Sequence, residues 1–272
     1  MDMFDTGPPF AGLDALTEST LTFEQPLHER VRLLLRMETL IERFRQASLD
    51  GRDFDHHHAL MVLVDIYSLA GRVDVKRELM GEIERQIANL NRLATQPGVD
   101  QERLTLTMQG QRRLLGRLED QVGALDQRIK GNEFFTSIRQ RTALPGGACD
   151  FDLPIYHYWL SQPAAAREAL LLEWFQPLDT VAEAITQVLT FMRAAGAPRH
   201  VTGHDGYYEQ SLDTNYAWQL IRVSVAADLQ CYPEISAGRQ RFTVRFLDPG
   251  DFHERPRIVA RDIPFQLTCC AI

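Results

Sequence analysis

The sequence predicts an α+β protein: a helical domain with a long antiparallel helical hairpin, plus an antiparallel β-sheet domain formed mainly by the C-terminal part. Three observations predict it. Apolar residues recur at three- and four-residue intervals from Pro26 to about Ala194. After Pro198 the interval changes to two, the period of half-buried strands. Between two long helical stretches, "PGVD" (Pro97 to Asp100) breaks the chain and supplies Asp100 as an N-cap, the mark of a helical hairpin.

Taken in order, the first twenty residues, "MDMFDTGPPFAGLDALTEST", hold no Lys or Arg and no apolar core long enough for a secretion signal. Residues 1–20 therefore read as a mobile acidic tail. "LTFEQPL" alternates, and residues 21–25 are expected to form a strand joining the sheet from the other end of the chain. In "PLHERVRLLLRMETLIERFRQ", Pro26 suits a first helical turn, and Val31, Leu34, Leu35, Met37, Leu40, Ile41 and Phe44 mark a core-facing stripe. Arg32, Arg36 and Arg43 flank that stripe. The triplet His56, His57 and His58 does not put three imidazoles on one helix face and reads as a solvated loop, not a metal site.

Leu79, Ile83, Ile87, Leu90 and Leu93 carry one arm of the hairpin. Leu104, Met108, Leu115, Leu118, Val122, Leu125 and Ile129 carry the other, in a single run extending to Lys130. At 1.5 Å per residue the arms are on the order of 30 to 45 Å long. "LPGG" then breaks the chain, Pro154 starts a further helix, and Val181, Ile185, Val188, Leu189 and Met192 stripe the last one. The mainly helical domain spans residues 21–198. In the β domain, residues 199–272, Ile221, Val223 and Val225, then Phe242, Val244 and Phe246, then Ile263, Phe265, Leu267 and Cys269 alternate with other residues as strands with one covered face do.

Composition excludes some classes. A hydrophobic fraction of 44% beside 24% charged residues is that of a folded globular chain and argues against extensive disorder. No apolar run approaches the roughly 20 residues that span a bilayer, so a soluble intracellular protein without membrane insertion is expected. Cys149, Cys231, Cys269 and Cys270 have no C-x-x-C spacing and read as reduced thiols, with Cys269 facing the core beside Leu267. The pattern offers no metal site, no cofactor fingerprint and no catalytic constellation: "PGG" lacks the lysine and glycine spacing of a phosphate loop. A non-enzymatic role is expected.

The strongest local signal is "GRQRFTVRF", Gly238 to Phe246, in a chain of net charge −8. Arg239, Arg241 and Arg245 share one parity, so a strand here has one cationic and one mostly apolar face. A solvated outer face is the plainest use of such a row. A single-strand nucleic-acid module on the sheet is an alternative, but Phe242 and Phe246 point away from the arginines, and from Val201 onward nine acidic residues outnumber seven arginines. A thiol-dependent enzyme at Cys149 is another. There Asp150 and Asp152 disfavour the thiolate, although His157 lies near in sequence.

Several segments, in order, resemble one family: "FEQPLHERVRLLLRME", "PGVDQ", "IRQRTALPGGACDFDLPIYHYWL", "QCYPEISAGRQRFTVRF" and the closing "FQLTCC". Together they resemble the ZapD family of bacterial cell-division proteins from about Phe23 to Cys270. The first twenty residues and "DPGDFHERPRIVARD" depart from that pattern. The resemblance implies a cytoplasmic homodimer, with a helical and a β domain, at the mid-cell division ring. It also implies binding of the C-terminal tail of FtsZ and bundling of FtsZ filaments through a positively charged surface, without enzymatic activity. Positions matching the family's basic residues are Arg32, Arg36, Arg72, Arg241 and Arg245, with Arg139, Arg141 and Arg239 as neighbours. Arginine suits a tail carrying carboxylates, because its planar fork grips a carboxylate through two parallel hydrogen bonds.

Overall fold

The computed structural model describes residues 20–49, 52–121, 123–142, 144–238 and 240–272. Apart from Thr20, the tail expected over residues 1–20 lies outside them, as does Arg239. The elements run β1 (Thr20–Pro26), α1 (Glu29–Leu49), α2 (Asp53–Ala70), α3 (Val75–Leu93), α4 (Gln101–Asp120), α5 (Gln127–Lys130), α6 (Glu133–Arg141), α7 (Pro154–Leu160), α8 (Ala164–Phe175) and α9 (Asp179–Ala194). There follow β2 (Arg199–Gly203), β3 (Tyr207–Ser211), β4 (Trp218–Ala226), β5 (Tyr232–Ala237), β6 (Arg241–Asp248), β7 (Arg257–Ile258) and β8 (Ile263–Ala271). Two compact units result: a β unit of the chain up to Leu27 with Gly196–Cys270, and a helical unit of His28–Ala195 with the last two residues.

In the helical unit, α1 buries Val31, Leu34, Met37, Ile41 and Phe44, as its spacing dictates, and Phe44 stacks on Phe175 of α8 at 4.5 Å between ring centroids. The helix starts at Glu29, not Pro26. Pro26 instead closes β1, opposite Leu220, a strand-end position that tolerates its missing N–H. The α3–α4 hairpin is capped as expected, with the Asp100 carboxylate accepting from Arg103 N at 3.0 Å and Asp74 doing the same for Arg77 N. Its arms hold 19 and 20 residues, about 28 and 30 Å at 1.5 Å per residue. The second arm stops ten residues before Lys130 because the chain turns at Gly123, whose φ of +87° is left-handed, before resuming as α5.

Polar locks join these helices. Gln111 Nε2 donates to Gln86 Oε1 at 2.8 Å, and Gln86 Nε2 donates to the Val188 carbonyl of α9 at 3.1 Å. Glu82, only 1% exposed, accepts from Arg30 Nε at 2.9 Å and from Arg85 Nη2 at 2.7 Å. The histidine triplet lies in α2, not in a solvated loop. The apolar run after it, including Leu60, Leu63, Ile66 and Tyr67, is buried, and His56 shares that face, four residues before Leu60, while Phe54 stays exposed. His56 is fully buried, and its Nδ1 accepts from Arg167 Nε at 3.0 Å.

The β unit holds two four-stranded sheets where the alternation alone suggested one. The first has the order β1-β4-β8-β2, with β1 antiparallel to β4 from Thr20↔Ala226 to Pro26↔Leu220. The second has the order β3-β6-β5, with β7 also paired to β6. Their inner faces share one core of Ile221, Val223, Val225, Ile263, Phe265 and Leu267 against Phe242, Val244 and Phe246. Phe246 and Phe265 meet at 4.9 Å between ring centroids. The chain passes from the first sheet to the second through Asp205 and Gly206, both at positive φ, the pair that a two-residue hairpin turn demands. At the end of β8 the alternation slips: Thr268 and Cys270 are buried and Cys269 is half-buried. The chain at Gly196 covers that back face so closely that a Cβ there would sit 2.7 Å from Thr268 Cγ2.

Candidate functional site

Strand β6 sorts its side chains as its parity requires. Phe242, Val244 and Phe246 fill the core, while the Arg241 and Arg245 side chains stand outward, 71% and 53% exposed. Register decides what they meet. Arg245 lies directly between Glu234 of β5 and Tyr207 of β3, and Thr243 lies opposite Glu209. Arg245 Nη2 donates to Glu234 Oε2 at 2.5 Å, and Arg241 Nη1 donates to Glu209 Oε1 at 3.3 Å. The Tyr207 hydroxyl donates to Glu209 Oε2 at 2.6 Å, which pulls the Glu209 carboxyl below the usual range and raises the Tyr207 phenol. The face expected to be cationic is thus a cross-strand ladder of both signs. The glutamates sit in "YYEQS" and "YPEIS", but which strands flank β6, and in what register, is set by tertiary pairing.

The remaining arginines belong to the helical unit. Arg32 and Arg36 come together on one edge of α1, where Nη1 of each lies 3.4 and 4.0 Å from the Glu29 carboxylate. Arg72 follows α2 and lines a cleft of about 780 Å³ with Lys76, Arg77 and Lys130, facing Asp74 and Asp126. Arg139 and Arg141 share the last turn of α6, and Arg141 Nη1 lies 3.6 Å from Asp152 Oδ1. Arg32, Arg36, Arg139, Arg141, Arg241 and Arg245 all stand on regular elements that fix their backbones, which limits the ordering cost of gripping a ligand.

Other candidate chemistry fares differently. Cys149 is exposed, and His157 turns its Nδ1 to Asp150 at 3.1 Å. Burial pushes the Cys231 and Cys269 thiols up, the direction of unreactive thiols. On the sheet, Tyr207 shares the arginine face, so one ring is available there, yet Glu209 and Glu234 share it too and oppose a phosphate backbone. Among the described residues no helix is long and apolar enough to cross a membrane.

Sequence comparison places these features in context. The sequence profile of a family described as the cell division protein ZapD matches residues 35–245. A "Cell division protein ZapD" of Methylococcus capsulatus is 36% identical over 255 residues, covering 94% of this chain and 100% of that protein. Proteins of the same name from Nitrosomonas eutropha and Dechloromonas aromatica are 33% and 34% identical, over 93% and 92% of this chain and 100% and 99% of theirs. The matched span takes in α1 from Leu35 through β6 to Arg245, and so includes both the α1 and the β6 arginines in part or whole.

Proposed function

The chain belongs to the ZapD family of cell division proteins, and from that membership we propose that it binds the C-terminal tail of FtsZ and crosslinks FtsZ filaments as a homodimeric, non-enzymatic adaptor. It acts in the cytoplasm at the mid-cell division ring. The observation that carries this reading is the outward row of Arg241 and Arg245 on β6, mounted on a packed core and paired with the exposed Glu209 and Glu234. Such pairs are individually weak, so an incoming carboxylate exchanges with them at little cost. On the helical unit, Arg32, Arg36 and Arg72 are further candidate contacts for the tail, with Arg139 and Arg141 as supporting cations there, and Arg239 precedes β6 in the sequence.

Bundling follows from valency. A two-fold dimer presents two tail sites, and each filament offers many tails. A dimer held on one filament therefore meets the next at high effective concentration, and contacts too weak to hold alone crosslink. Co-sedimentation with polymerised FtsZ, with and without its C-terminal tail, at low and high salt tests the reading. Tail-dependent pelleting that weakens as salt rises supports it, and pelleting indifferent to the tail contradicts it.

A further inference from the structure

Resting on the reading of the β6 arginines as the acidic-tail site, we propose that Glu209 and Glu234 are built-in placeholders for the carboxylates of an extended peptide whose acidic residues lie four apart. Arg241 and Arg245 share one face of a strand four residues apart, a spacing of about 13 Å at 3.3–3.4 Å per residue. A ligand that engages both must span the same distance. An extended segment does so with carboxylates at positions i and i+4, whereas a helical one needs roughly nine residues.

Each arginine already holds a carboxylate that reaches it from a flanking strand: Glu234, registered directly opposite Arg245, and Glu209, two residues along β3 from Ser211, which lies opposite Arg241. These carboxylates occupy the positions that a peptide laid along the face would fill. Glu209 also keeps a second partner, the Tyr207 hydroxyl, when it yields Arg241. The glutamates thus hold the guanidinium groups in place while the site is empty, and they compete with the ligand when it arrives. The site is tuned towards weak, reversible contact, suited to a partner bound at many points.

The test uses the full chain and two labelled synthetic Ser/Thr-rich peptides, one with two glutamates four residues apart and one with them adjacent. Binding is read by fluorescence anisotropy at low salt for the wild type, Glu234→Gln and Glu234→Gln/Arg245→Gln. Removing the competitor at Glu234 is expected to tighten binding of the four-apart peptide by about two- to fivefold, the range of an exposed ion pair. The gain should be smaller for the adjacent-glutamate peptide and absent in the double variant. Unchanged or weaker binding by Glu234→Gln, an equal gain for both peptides, or no binding by any of the proteins overturns the proposal. Tail-dependent pelleting of filaments by the same preparation would then leave the FtsZ reading standing through other residues. A gain with the peptide beside wild-type protein that ignores FtsZ filaments would retire FtsZ as the partner and keep the site.

Discussion

Arg245 Nη2 and Glu234 Oε2 lie 2.5 Å apart across a directly registered β5–β6 pair, on the outer face of a strand whose inner face is core. On the proposed reading, the two faces of β6 separate binding from folding. Arg241→Gln/Arg245→Gln is expected to lower FtsZ-filament binding by tenfold or more while costing less than about 1 kcal/mol of stability. Co-sedimentation and urea unfolding of the same variant check both halves. A variant that unfolds would assign the arginines to the fold.

The opposite outcome is expected one residue along. Phe246→Ala removes a fully buried ring that packs on Phe265 between the two sheets, at a cost of about 4 kcal/mol. Its loss should be visible in thermal unfolding before any binding defect is measured.

Glu82 carries a different load. Its buried carboxylate accepts from both Arg30 and Arg85, so Glu82→Gln leaves two guanidinium groups without their shared anion. Both arginines keep partial contact with water, so a loss of about 2 kcal/mol is expected, below the value for a fully buried triad. Urea unfolding measures it.

His56 makes the helical unit acid-sensitive. Burial, and then the adjacent Arg167, lower its pKa from 6.5, against smaller opposing effects of Glu168, the Ser48 backbone and Asp55. The unfolded chain therefore takes up a proton as pH falls through about 6.5 while the folded chain resists it. The stability contributed by neutral His56 is complete above that pH and is lost progressively below it. Melting temperature should fall between pH 7.5 and 6, and His56→Gln should be less stable at pH 7.5 but show a shallower decline. His57, also lowered by burial, leaves a residual slope.

Much of this architecture was legible because local signals and burial agree. Val181, Ile185, Val188, Leu189 and Met192 are all buried on α9, and Asp100 caps α4 as its position after "PGV" suggests. Elsewhere a single local feature decided. Gly123 ends the second hairpin arm inside an otherwise continuous helical pattern, and Asp205-Gly206, a hairpin signal present in the sequence, carries the chain into a second sheet. The failure of His56, His57 and His58 to share one helix face argues against a metal site but not against a helix, and the apolar run behind the triplet carries it into α2. The arginines of the candidate site could be named from the sequence, but Glu234 and Glu209 could not, because they join it by strand register between segments up to 32 residues apart.

If exposed arginines on β6 hold the FtsZ tail, titration of the full chain with an isolated FtsZ C-terminal tail peptide across a salt series reads that contact without filaments. The expected result is saturable binding that weakens steeply between about 50 and 300 mM salt and is largely lost in Arg241→Gln/Arg245→Gln. Equal binding by the wild type and that variant, at every salt concentration, would contradict it.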